Sequence, residues 1–291
     1  MQEKYQTPQV AIVTDSLACL TRELAEQYGI EIIPIYFYVG DNVYKDWVNI
    51  TPSEAYGLFL QDPGSFKTSA APPEECLQAY RKALQRAPNI LCVTVSTKLS
   101  TVFNVAQIAK EQARKEHPEV TIEVLDSRTA TACQGLVALA AARAAALGKD
   151  LTEVVRAAHD MMEKANCLIL LDTIRHVYRS GRIPKVASRI GSALNIRPIF
   201  TISAGAVRLI SAVRNRQQGI NRIIQKMRHK VGQSPVHVAV MHAYAPNEAE
   251  QLKQRIATEF NCTELWLTEF SPLMGYACGT GTLGLAFCRE D

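Results

Sequence analysis

Val10-Ala11-Ile12-Val13-Thr14-Asp15-Ser16 is the stretch on which the fold turns. Four apolar residues give way to three small polar ones. A parallel strand buried on both faces reads as a continuous apolar run, and open α/β sheets bind ligands beyond the carboxyl ends of their strands. The pattern returns twice. Ile90 to Val95 leads into Ser96, Thr97 and Ser100, and Ile122 to Leu125 leads into Asp126 and Ser127. Three strand ends thus bring hydroxyls and carboxylates, with neither histidine nor cysteine, to one edge. Such an edge suits the holding of a polar head group rather than an attack on one. Asp and Ser also cap helices that follow strands, so the three ends together carry more than any one alone.

Outward from these strands the first half alternates strand and helix. Arg22–Tyr28, Pro73–Leu84, Thr101–Glu116 and an Ala-rich segment over Thr131–Leu147 read as helices. Ile30–Val39 reads as a strand that Pro34 marks as an edge or a break. Thr51-Pro52-Ser53-Glu54 is a helix start, with Thr as N-cap, Pro at the first helical position and Glu at the third. The second half differs. Pro198–Ser203 and Val207–Val213 flank Ala204-Gly205 as an antiparallel hairpin. A helix (Gln217–Val231), a strand (Val236–Met241), a helix (Asn247–Phe260), a strand (Glu264–Thr268) and a Gly-rich segment (Gly275–Gly284) follow. These elements predict an α/β protein of two domains. Residues 1–166 would hold a mostly parallel sheet with flanking helices, and residues 167–291 a mixed or antiparallel sheet with helices.

The chain has 291 residues, is 47% hydrophobic and carries a formal net charge of +4, enough for two cores with a mildly basic surface. The densest basic stretch, Arg208 to Lys230, contains no Phe, Tyr or Trp, which argues against nucleic acid and for solvated helix faces with a local basic patch. The N-terminus lacks the apolar region of a signal peptide, and no apolar stretch is long enough for a bilayer. The 8 cysteines lie mostly inside apolar runs and show no zinc-type spacing. They read as reduced core residues of a cytoplasmic protein.

In order and spacing, several motifs together resemble the DegV family of bacterial fatty-acid-binding proteins, which includes the FakB subunits of fatty acid kinase. They are Thr14-Asp15-Ser16, Lys67-Thr68-Ser69, Ser96-Thr97-Lys98-Leu99-Ser100, Asp126-Ser127, Ser180-Gly181-Arg182-Ile183, Asn195-Ile196-Arg197-Pro198 and the terminal Gly275 to Gly284 stretch. The resemblance covers essentially the whole chain. It implies a non-catalytic protein that encloses one long-chain fatty acid, such as palmitate, stearate or oleate, in an apolar tunnel between or beside the domains. It implies no cofactor and no metal, and a possible partner kinase of the FakA type. By the same resemblance, Thr68 and Ser100 match the residues that bind the carboxylate. Asp15, Ser69, Ser96 and Arg182 would support them or form the partner surface, and Arg214 and Arg216 fall in a second family-like motif.

The residues themselves agree. Ser100 opens a helix, whose N-terminus favours an anion. Thr68 adds a neutral hydroxyl, which binds a carboxylate without a buried lysine to desolvate. The chain also departs from the family. Many members carry a His in a Gly-x-His-x-Gly-Pro-Gly segment, where this chain has Gly275-Tyr276-Ala277-Cys278-Gly279-Thr280-Gly281, so Ala277 stands at the His position. Ala70-Ala71 and Thr101 replace the family's Gln-Pro and Gly. The competing reading is a hydrolase or phosphotransferase using the sheet-edge Asp15, Ser100 or Asp126. Against it, the chain has no Gly-x-Ser-x-Gly elbow, Walker loop or dinucleotide fingerprint. His242, alone at a strand end, reads as a structural residue.

Overall fold

The structure, a computed structural model, describes residues 8–173, 181–182 and 196–290. Ser180, Ile183 and Asn195 of the family-like motifs lie outside them. Three sheets organise the described residues. The first is all-parallel, with order β2-β1-β6-β7: β1 (Val10–Asp15), β2 (Glu31–Ile33), β6 (Asn89–Thr94) and β7 (Thr121–Asp126). Every residue of β1 is buried, as its unbroken apolar run requires. Its alternate side chains serve two cores. Ala11 and Val13 pack toward helices α3 (Pro73–Leu84) and α4 (Val102–Glu116). Val10 and Ile12 pack toward α5 (Ala132–Ala146) and α6 (Leu151–Lys164). The alanines of α5 let it lie close, and at Gly135 a Cβ would come within 2.6 Å of the Ala18 carbonyl oxygen.

The second sheet is small and antiparallel, with order β4-β3-β5: β3 (Tyr36–Val39), β4 (Asn42–Lys45) and β5 (Phe66–Ser69). The strand expected over Ile30–Val39 is therefore two. The chain breaks at Pro34, and the two parts join different sheets. Helix α2 (Pro52–Gln61) begins with the capping box expected at Thr51 and Glu54. Phe59 of α2 packs with Phe37 and Phe66 of the sheet.

The third sheet has six strands, in the order β10-β9-β8-β13-β11-β12. They are β8 (Asn166–Leu170), β9 (Arg197–Ser203), β10 (Ala206–Val213), β11 (Val236–His242), β12 (Cys262–Glu269) and β13 (Leu283–Arg289). β11 and β12 pair in parallel and the other neighbours antiparallel, giving the mixed sheet expected. The β9–β10 hairpin turns at Ala204 and Gly205, with φ of 50° and 80°, the left-handed pair that a two-residue turn demands. One face is covered by α7 (Arg216–Val231) and α8 (Pro246–Glu259) through Ile223, Met227 and Leu252. Ile169, Phe200 and Ala239 face the core shared with the first sheet. A short helix, α9 (Pro272–Cys278), occupies the start of the Gly-rich segment. At Gly275 a Cβ would lie 1.9 Å from the ring of Tyr56, so α9 can seat there only with glycine. Among the described residues no helix is long and apolar enough to cross a membrane. Seven of the 8 cysteines are buried, and all are free thiols.

Candidate ligand cavity

A cavity of about 360 Å³ opens where the three sheets meet. Leu17, Ile35 and Val95 wall it from the first half of the chain, and Ile169, Phe200 and Ile202 from the six-stranded sheet. Leu273, Met274, Tyr276, Ala277 and Cys278 close it from α9. The lining also carries polar groups: Thr68, Ser69, Thr97, Lys98, Ser100, Thr101 and Arg182. No carboxylate and no imidazole lines the space among the described residues, whereas two cations do, so the rim favours a negative group.

Thr68 sits in β5, opposite Phe37 of β3. The position is the third of the four residues of the strand and is fixed by its ladder. Ser100 lies in the turn between β6 and α4, where its N–H donates to Ser96 O at 3.1 Å. Helix α4 starts at Val102, two residues after Ser100, and the side chain of its N-cap residue, Thr101, makes no hydrogen bond to the N–H groups of the first turn. Those N–H groups leave positive potential beside Ser100. The hydroxyls of Thr68 and Ser100 make no hydrogen bond with any protein group among the described residues. Both line the cavity half-buried, with donors available to a guest.

The other sequence-derived candidates divide. Ser69 lines the rim, but its hydroxyl donates to Ala70 O at 3.0 Å. Arg182 lines the rim and donates from Nε to Leu99 O at 3.3 Å. Asp15 and Ser96 are absent from the cavity lining. Asp15 accepts from the N–H groups of Leu17 (3.1 Å) and Val95 (2.8 Å) and so holds two strand ends together. Burial raises its pKa to about 6. Ser96 donates to Gly205 O at 2.8 Å, and Lys98 Nζ to Ala204 O at 2.8 Å. These two bonds clamp the β9–β10 turn onto the rim loop. Asp126 receives the Thr97 hydroxyl at 2.7 Å.

Arg216 is bound bidentately by Glu248, at 3.0 Å for each bond, which makes it a structural ion pair. Arg214 is exposed, and its carbonyl accepts from Arg197. His242 accepts the Ala245 N–H at 3.3 Å, and burial lowers its pKa to about 4, so it is a neutral structural residue as expected. Sequence reasoning gave no role to Lys98, Phe200, Ile202 or Met274. Alternation along β9 was the signal for Phe200 and Ile202, whereas nothing in the sequence marks Lys98 as rim.

The profile of the family described as "Uncharacterised protein, DegV family" matches residues 9–290. A DegV domain-containing protein of Clostridium perfringens is 30% identical over 284 residues, covering 97% of this chain and 99% of that one. A fatty-acid-binding DegV family protein from Thermus thermophilus has a similar structure, with a TM-score of 0.86 and 24% identity, covering 97% of this chain and 100% of the other. A stearic-acid-binding protein from Eubacterium ventriosum gives 0.87 and 23%, with coverages of 97% and 98%. With its family profile matched almost end to end and its fold shared with these structures, the chain belongs to the DegV family.

Proposed function

We propose that this protein binds one long-chain fatty acid, such as palmitate, stearate or oleate. The acyl tail lies in the apolar cavity, and the carboxylate is held by Thr68 and Ser100. The observation that carries the reading is the pair of hydroxyls, unpartnered among the described residues, in the lining of a mostly apolar cavity of about 360 Å³. That volume falls in the range of small-molecule sites, roughly 300–1,000 Å³. Burying about fourteen methylenes at ~0.8 kcal/mol each contributes roughly 11 kcal/mol. Association and ordering offset about 4 kcal/mol or more of it. The tail therefore supplies affinity, and the hydroxyls, with Lys98 and Arg182 nearby, set orientation. The fatty-acid-binding descriptions of structural neighbours support the same reading. A hydrolytic role fits less well, because neither hydroxyl has a histidine or carboxylate in hydrogen-bond reach among the described residues.

Organic extraction of the purified protein, followed by mass analysis, is expected to release a long-chain fatty acid in near-equimolar amount. A protein that carries no acyl ligand and fails to take up added palmitate or oleate would refute the proposal.

The same reading treats residues 1–166 and 167–291 as two domains that present the bound acid to a FakA-type kinase. Ala277 lines the cavity where a methyl group cannot donate a proton or hydrogen bond. Ala277→His is expected to raise acyl-phosphate formation in a reconstituted kinase assay by roughly tenfold or more, as a positioned imidazole does. Equal rates for the two proteins would show that the position plays no part.

A further inference from the structure

The six-stranded sheet has a second concavity beside the first. Thr201 and Ser203 of β9 face a cleft of about 830 Å³, and Ile202 between them borders both spaces. One wall is α7. Arg222, Lys226, His229 and Lys230 recur at the spacing of one helical face, and all line the cleft. The opposite face of the helix carries Ile223, Ile224 and Met227 into the core. Across the cleft stands Arg128, whose φ is 52° and whose N–H donates to Asp126 Oδ1 at 2.8 Å.

What separates this face from an ordinary solvated one is which charges are paired. On the same helix, Arg216 binds Glu248 and Arg228 binds Glu259. Arg128, Arg222, Lys226 and Lys230 have no ion-pair partner among the described residues, and Arg222 donates only to Gln225 Oε1, at 3.3 Å. Glu163 is the one carboxylate in the lining among the described residues, against four permanent cations. Like charges one turn apart, as at Arg222 and Lys226, destabilise a helix. Concave walls concentrate their field.

We infer that this cleft is a binding site for a small, multiply charged phosphoryl compound. Several converging cations call for more than one negative charge, and Arg222 and Arg128 offer forked donors that match phosphoryl oxygens. The lining has no Phe, Tyr or Trp among the described residues on which a base could stack, which sets single-stranded nucleic acid aside. Its concavity and volume suit a small molecule rather than a flat membrane or protein face. The inference is independent of the fatty-acid reading.

Isothermal titration of the full chain with inorganic pyrophosphate, at low ionic strength, tests it. One site is expected. Arg222→Gln/Lys226→Gln should weaken binding roughly tenfold or more. Lys82→Gln/Lys115→Gln, which removes two exposed cations outside the cleft, should leave it unchanged. Oleate should not displace pyrophosphate. Absence of binding, equal loss in both double variants, or displacement by oleate would each overturn the inference. So would cleft-dependent binding to phosphatidylglycerol vesicles without binding of pyrophosphate, which would assign the cations to a lipid surface.

Discussion

Thr68→Val and Ser100→Ala together are expected to lower fatty-acid affinity by about 2–6 kcal/mol, at roughly 1–3 kcal/mol for each donor withdrawn from a buried acceptor. Both substitutions remove a hydroxyl that has no structural duty, since neither makes a hydrogen bond among the described residues. Folding should therefore be little affected. Titration with oleate and with its methyl ester separates head from tail. Affinity for the ester should barely change, and the preference for acid over ester should collapse. Retention of that preference in the double variant would mean that Lys98, Arg182 or the α4 N-terminus holds the carboxylate instead.

The second large effect concerns stability and pH. Asp46 is buried between the first sheet and α9, and its Oδ2 accepts the Ser271 hydroxyl at 2.6 Å. Burial raises its pKa from an ordinary 3.8 to about 6, with hydrogen bonds from Ser271 and Ser16 opposing the rise. A carboxyl whose pKa is raised on folding binds more protons folded than unfolded. Its contribution is then most favourable below the unfolded value and declines as pH climbs from about 4 to about 6. A rise of that size corresponds to on the order of 3 kcal/mol. The amide of Asp46→Asn cannot ionise and keeps a carbonyl for Ser271. Urea unfolding from about pH 4 to about pH 7 should show the stability difference between this variant and the parent moving by about that amount in the variant's favour. A difference independent of pH would mean that Asp46 titrates normally in the fold. Comparison of variant with parent is needed because Glu75 and Glu264 behave oppositely. Their pKa values are lowered in the fold, and they add stability as pH rises.

The parallel strands β1 and β6 were legible because each is an apolar run long enough to declare itself, and β7 because Ile122, Val124 and Leu125 outweigh the single Glu123 before Asp126. The hairpin at Ala204-Gly205 and the cap at Thr51 were legible because local backbone chemistry specifies them. The second sheet was not. Its strands hold four residues each, too few for a period, and β3 meets β5 across a gap containing all of α2. Thr68 was therefore found through the family motif alone. Burial of Asp46 was hidden for a related reason, since its partner Ser271 lies 225 residues away. The basic stretch was visible in sequence. Which of its cations are paired is decided by α8, whose Glu248 and Glu259 reach some and not others.

The walls of the cavity proposed to hold the acyl tail run from Leu17 to Cys278 along the chain. Any genetic crossover between two relatives that falls inside that interval inherits part of the wall from each parent. Recombinants should then show preferences belonging to neither parent, or none, rather than a trait that travels with one segment. Such a site changes by scattered single substitutions, and swapping a loop is a poor way to move its selectivity from one protein to another.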